Sequence, residues 1–156
     1  MFGNAATPKA TFTMWLQLHG QMLTRDRLVK WGMNVGPACV LCVGNMETRD
    51  HLFVQCNFTK LMWQYILTWL GRNDTLGGTW ADHLKWVIKS AKGRTQQAQI
   101  YKMVYAETVH VVWMERNQRV FENNTRAANV IARQIAFICN VRATPGIRAL
   151  VQSYLM

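Results

Sequence analysis

Three of the chain's four cysteines lie within eighteen residues, in the stretch CVLCVGNMETRDHLFVQC from Cys39 to Cys56. His51 sits between the second and third, so the spacing is C-x2-C-x8-H-x4-C. No other feature constrains the fold as strongly. Zinc takes four soft or borderline ligands in a tetrahedron, at about 2.0–2.3 Å. A C-x2-C turn sets two thiolates on one ion, and a histidine and a cysteine five positions apart converge across one helical turn and its end. Gly44 and Asn45 favour a tight reversal between the two pairs. With four protein ligands no position is left for a catalytic water. The pattern therefore predicts one structural Zn2+ held by Cys39, Cys42, His51 and Cys56. Two other readings stay open on spacing alone. One is a redox C-x-x-C, which usually sits in a βαβ setting that this chain lacks. The other is a group of inert buried thiols. Cys139, alone in AFICN on an apolar helix, reads as a core residue.

The apolar spacing around this knuckle is helical. Phe12, Trp15, Leu16 and Leu18 mark a short amphipathic helix, and Thr24 caps a second from Arg25 to Trp31, ended by Gly32. A helix beginning near His51 breaks at Cys56–Asn57 and resumes through TKLMWQYILTWL to Gly71. RNDTLGG is turn chemistry. Thr79 caps WADHLKWVIKSAK, which stops at Gly93. The longest helix candidate spans residues 95–123, with Ile100, Val104, Val111 and Phe121 on a loosely defined apolar face. The β-branched run VHVVW lies inside it. Another helix runs from about Thr125 to Ala143, and IRALVQSYLM is expected to form a short final one. The fold class is all-α, a helical domain carrying a small Cys3His structural zinc knuckle near its N-terminus. The division expected is residues 1–71 as the zinc-binding unit and 72–156 as a helical extension packed on it.

Half of the 156 residues are apolar and seven are tryptophan, enough for a real core and unlike a disordered chain. The net charge is +10, from 18 Lys+Arg against 8 Asp+Glu. Such a balance attracts nucleic acid, acidic proteins or anionic surfaces without choosing among them. The charge is dispersed: residues 1–93 carry ten basic and five acidic groups, residues 94–156 eight and three. No basic tail exists. No apolar run approaches the roughly 18 residues of a membrane span, and the N-terminus has neither a signal-peptide nor a presequence pattern. The sequons at Asn57, Asn73 and Asn123 are therefore read as chance matches. Cytoplasm or nucleus is the expected compartment, where thiols stay reduced.

Three blocks carry a resemblance: WLQLHGQMLTRDRLVKWGM, then CVLC, then TRDHLFVQCNFTKLMW. From about Pro8 to Trp63 they resemble the zinc-binding domain at the C-terminal end of reverse transcriptases from plant LINE-type (non-LTR) retrotransposons. The later WMERNQRVF, Trp113 to Phe121, resembles the W-x-E-R-N-x-R-x-F segment that often follows in such elements. The resemblance implies zinc ligation by Cys39, Cys42, His51 and Cys56 and an association with nucleic-acid transactions. The paired aspartates of a polymerase and the clustered carboxylates of a ribonuclease H site are missing from the sequence. The chain is expected to be a freestanding retroelement fragment, not an enzyme.

Two functions follow. RNA or single-stranded DNA would be held by phosphate contacts and base stacking, through Arg25, Arg27 and Lys30 before the knuckle, Arg49 in it and Lys60 after it. Arg116 and Arg119 share a helix face and complete the set, although Glu115 and Arg119 also read as an ordinary i,i+4 pair. Some tryptophans are candidates for a stacking platform, but their helical spacing reads mainly as core. The alternative is a protein-interaction module, binding a host protein or a second copy, for which the nine methionines and the apolar C-terminal stretch are suited. His19, His83 and His110 read as surface or core-edge groups.

Overall fold

In a computed structural model, residues 6–72 and 77–142 are described. Their elements are α1 (Pro8–Leu18), α2 (Arg25–Lys30), a π-helical turn (His51–Gln55), α3 (Asn57–Trp69), α4 (Trp80–Ser90), α5 (Gln96–Phe121) and α6 (Ala128–Arg142). The only β pairing among the described residues is one isolated bridge, Ala38 to Met46. The all-α expectation is met. The expected final helix, and residues 73–76 of the expected RNDTLGG turn, lie outside the described residues.

Local chemistry sets the helix ends. Thr7 caps α1 by accepting from the Ala10 N–H at 3.2 Å, with Pro8 at the first helical position. Thr79 and Thr95 cap α4 and α5 in the same way, accepting from Asp82 and Ala98 at 3.1 Å each. Thr24 stands at the N-cap of α2 but makes no capping bond. Its hydroxyl donates instead to the Asp26 carboxylate, 2.5 Å away. Gly32, Gly71 and Gly93 follow helix ends with positive φ, the left-handed stop that only glycine enters freely.

The core is built around α5, which packs against α1, α4, α6 and the π-helical turn. This explains its loose periodicity. A helix flanked on nearly all sides buries nearly all sides, and from Ile100 to Val112 only Lys102 and His110 are not fully buried. The β-branched VHVVW run is helical because it sits in this interior. Ile100, Val104 and Val111 are buried as expected, whereas Phe121, at the frayed end of α5, is 76% exposed. One apolar cluster extends from Ala6 to Cys139 and includes elements on both sides of residue 71. His83, read as a surface or core-edge group, lies inside. It is buried against Trp63 and Tyr105, with ring centroids 5.6 and 6.4 Å away. Desolvation there pushes its pKa down to about 4, against a small opposing pull from Asp82.

Candidate metal centre and basic surface

The backbone reversal at residues 37–47 brings the first two cysteines to one point. Cys39 N–H donates to Asn45 O at 2.7 Å, Glu47 N–H to Pro37 O at 2.8 Å, and Val43 N–H to Cys39 O at 2.8 Å. The last bond closes the C-x2-C loop and holds Val43 at φ 63°, a left-handed conformation that β-branched residues avoid. The second pair needs a different device. At about 100° per residue, positions five apart on an α-helix point roughly 140° away from each other. The wider π-helical turn removes that mismatch. Cys56 N–H donates to His51 O at 2.7 Å across five residues, and Cys56 then leaves in extended conformation to cap α3.

The ligating atoms of Cys39, Cys42, His51 and Cys56 consequently lie within 4.8 Å of one another. Cys39 Sγ and Cys56 Sγ are 3.9 Å apart, and Cys42 Sγ is 3.2 Å from His51 Nε2. A tetrahedral zinc with ordinary bond lengths has ligand–ligand edges of roughly 3.5–3.8 Å. The donor set, its geometry and its burial fit a zinc site. The hydrogen bond from Cys39 to Cys56 raises the pKa of Cys39 and lowers that of Cys56; desolvation raises both. The backbone N–H groups of Thr59 and Phe58 also favour the Cys56 thiolate. Cys139 is buried far from this cluster in sequence and is not a member of it.

Glu47 links the knuckle to the rest of the molecule, and no motif marks it. Its fully buried carboxylate accepts from Arg116 Nη2 at 2.8 Å, Arg116 Nε at 3.0 Å and the Arg25 N–H at 2.8 Å. A second buried carboxylate, Glu115, accepts from Arg119 Nε at 2.9 Å and Arg126 Nε at 3.0 Å. Burial alone would raise its pKa, but the bonds from Arg119 and Arg126 hold it below the usual range. The i,i+4 alternative for Glu115 and Arg119 is therefore the arrangement found. The WMERNQRVF segment packs on the knuckle half at several points. Trp113 stacks near Phe53 at 6.4 Å, and Arg119 lies 4.5 Å over the Phe58 ring.

The candidate nucleic-acid residues divide into two groups. Arg116 and Arg119 turn inward, as described. Arg27 donates to the carbonyls of Gly20 and Met22 and lies 5.1 Å over the Trp31 ring, while Arg25 reaches Ala38 O at 2.9 Å. Lys30, Arg49 and Lys60 are exposed. Of the seven tryptophans, Trp63 and Trp80 are core and Trp69, Trp86 and Trp113 are partly buried; Trp15 and Trp31 are 51% and 59% exposed. Leu23, Val29, Met33, Val43 and Met46 are exposed as well. Missing from the sequence reading was where the carboxylates go. Glu47, Glu107 and Glu115 are buried, which leaves Asp82 and Glu122 as the fully exposed acidic residues among those described. The exposed basic ones are Lys9, Lys30, Arg49, Lys60, Lys85, Lys89, Lys92, Arg94, Arg133 and Arg142. Burial of Glu47 and Glu115 takes Arg116, Arg119 and Arg126 in with them, so the described surface stays basic, with ten exposed cations against two exposed carboxylates.

Comparison with known proteins adds one finding. Residues 1–63 match a family model described as zinc-binding in reverse transcriptase, and the matched span contains all four clustered donors. The match is to this accessory domain and not to a polymerase. No curated protein and no solved structure matches the chain.

Proposed function

Taking residues 1–63 as a zinc-binding domain of reverse-transcriptase origin, we propose that this protein is a non-catalytic RNA- or single-stranded-DNA-binding module built on one structural zinc. We ascribe its ancestry to plant LINE-type retrotransposons on the sequence resemblance. Cys39, Cys42, His51 and Cys56 hold the ion, and its chemistry is to lock the reversal at 37–47 to the π-helical turn. The observation that carries the binding reading is the excess of exposed cations, ten against the exposed Asp82 and Glu122 among the described residues. Such an excess attracts a polyanion.

The knuckle half exposes both cations and apolar side chains. Lys30, Arg49, Trp31, Met33 and Met46 are exposed, and Arg27 lies over the Trp31 face. Single strands are bound by this combination, with phosphates on the cations and bases against the rings. Fluorescence anisotropy of the zinc-loaded protein with labelled single-stranded RNA and DNA, at several salt concentrations, tests the reading. Binding with a steep salt slope, weakened together by Lys30→Gln, Arg49→Gln and Trp31→Ala, is the expected result. No binding at about 0.1 M salt overturns it.

A second reading has its own observation. Val130, Phe137 and Val141 are exposed along α6, and Phe12, Trp15 and Leu18 along α1. Exposed apolar surface of this kind serves protein contacts. A concentration-dependent mass in analytical ultracentrifugation, insensitive to salt, would favour self-association.

A further inference from the structure

We infer that the corner where α4 turns into α5 is a second phosphate-binding surface, separate from the knuckle, and that one nucleic-acid strand engages both. This rests on the nucleic-acid reading above. From Asp82 to Glu107 the sequence contains Lys85, Lys89, Lys92, Arg94 and Lys102 and no acidic residue between them. Spread along a chain, five cations mean little. The fold gathers them, because α4 ends at Ser90, reverses at Gly93 with φ 93°, and restarts as α5 at Gln96. The Nζ of Lys102, one and a half turns into α5, reaches back to Gly93 O at 3.2 Å.

Lys85, Lys89, Lys92 and Arg94 are exposed and form no ion pair among the described residues. Lys85 and Lys89 stand four apart on one helix face, a like-charge pair that by itself weakens a helix. The first turn of α5 carries no acidic residue, so the positive end of this long helix adds to the same field. Inside the fold Arg116 pairs with Glu47, and Arg119 and Arg126 with Glu115. At this corner four exposed cations fall within ten residues of chain, from Lys85 to Arg94. A bilayer is a poor occupant, since Ile88 is the single large apolar residue strongly exposed between residues 77 and 107, and interfacial helices need a broad apolar face. The chemistry that fits is a hydrated phosphodiester backbone.

The distance to the knuckle follows from α4. Its start is tied there, Trp80 N–H donating to Asp50 Oδ1 at 2.9 Å and Gln55 Nε2 to Gly78 O at 2.8 Å. Its 11 residues carry the chain about 16 Å to the corner. At about 3.4 Å per stacked nucleotide that span is roughly five nucleotides, within the roughly 4–16 that single-strand binders cover. A short oligonucleotide would touch one surface, and a longer one both.

The test uses the zinc-loaded full chain and labelled oligonucleotides of about 4 and about 20 nucleotides. The corner variant combines Lys85→Gln, Lys89→Gln, Lys92→Gln and Arg94→Gln. A knuckle variant combines Lys30→Gln, Arg49→Gln and Lys60→Gln, and a control keeps the corner charge with Lys→Arg at 85, 89 and 92. For the long strand, the corner variant is expected to lose at least about 10-fold in affinity. Its log–log salt slope should drop by about 2–3, at roughly 0.7 per phosphate contact. The Lys→Arg control should bind like wild type, and the short strand should discriminate less. If the knuckle variant weakens binding but the corner variant matches wild type in affinity and slope, the inference is overturned and the nucleic-acid reading stands. Should wild type bind no oligonucleotide, both fall. Corner-dependent binding to phosphatidylserine vesicles without oligonucleotide binding also overturns the inference. Unchanged circular dichroism and melting in the corner variant establish that any loss is not unfolding.

Discussion

The knuckle and the α5 core are two halves of one cluster, held by opposite means. Between residues 37 and 56 the buried apolar side chains other than cysteine are Leu41, Leu52, Phe53 and Val54. The backbone there has one isolated bridge and one π-helical turn. Along α5, by contrast, Ile100, Met103, Val104, Tyr105, Val109, Val111 and Val112 are all inside. At about 1.5–3 kcal/mol for each large side chain, burial alone favours the second region and cannot order the first. The difference is one of burial: the helices remove large apolar area from water, and the knuckle, with few such side chains, holds a Cys3His cluster that fits a zinc site. Glu47 and Arg116 then couple the two.

Metal removal should separate them most strongly. A structural zinc contributes roughly 10–16 kcal/mol of apparent binding free energy in small domains. Chelation, or Cys39→Ser, is therefore expected to abolish amide-exchange protection at residues 37–56 and to leave much of α5 and α6 protected. Measured metal content should fall in step. Equal loss of protection in both regions would erase the distinction.

Arg116→Ala comes next. It strands the fully buried Glu47 carboxylate, and breaking a buried pair from one side typically costs about 3–5 kcal/mol. Urea melts read at the knuckle and at the core should both shift, since the residue belongs to both. If only one shifts, the pair does not couple them. A Glu47→Gln, Arg116→Met double variant should recover much of the loss.

Acid should act on the core through His83. Its folded pKa, about 4, lies below the unfolded value of 6.5. The unfolded chain therefore binds the extra proton first, and stability declines as pH falls from about 6.5 towards 4, by up to about 3 kcal/mol. His83→Phe should flatten that part of the pH–stability profile. Acid lability left in the variant would include His110, whose pKa burial also lowers, and differential scanning calorimetry of a His83→Phe, His110→Phe pair separates the two. An unchanged profile in the variant would remove His83 from the account.

Val43 offers the smallest change. Asparagine tolerates the left-handed conformation that valine adopts here, and the site is 76% exposed, so little packing is lost. Val43→Asn is expected to stabilise the knuckle by about 1 kcal/mol, seen as slower metal loss to a competing chelator. Faster loss would show that the valine side chain contributes something beyond its backbone.

Much of this molecule was written locally. The ligand set is legible because a C-x2-C turn and a five-residue histidine–cysteine step are short-range geometry. Thr79 announces a helix start because a cap bonds to its own helix, and Glu115 with Arg119 pairs across one turn, whereas Thr24, read the same way, turns its hydroxyl to Asp26. Even the helical state of VHVVW followed from its setting in a long helical segment. The reading erred where neighbours decide. Phe121 carries an apolar side chain in the right register but reaches past the last packing partner, and His83 is inside because Trp63 and Tyr105 close over it.

What only the tertiary structure decided is the charge pattern. Glu47 and Arg116 are 69 residues apart and meet because α5 returns beside the knuckle. Once they meet, Arg116 is an internal strut and its carboxylate partner is lost from the surface. The reversal at Gly93 places Lys89, Lys92, Arg94 and Lys102 at one corner. Sequence determined which residues are cations and how many there are. Which ones still face water depends on long-range packing, because pairing energy rises steeply only where packing excludes solvent.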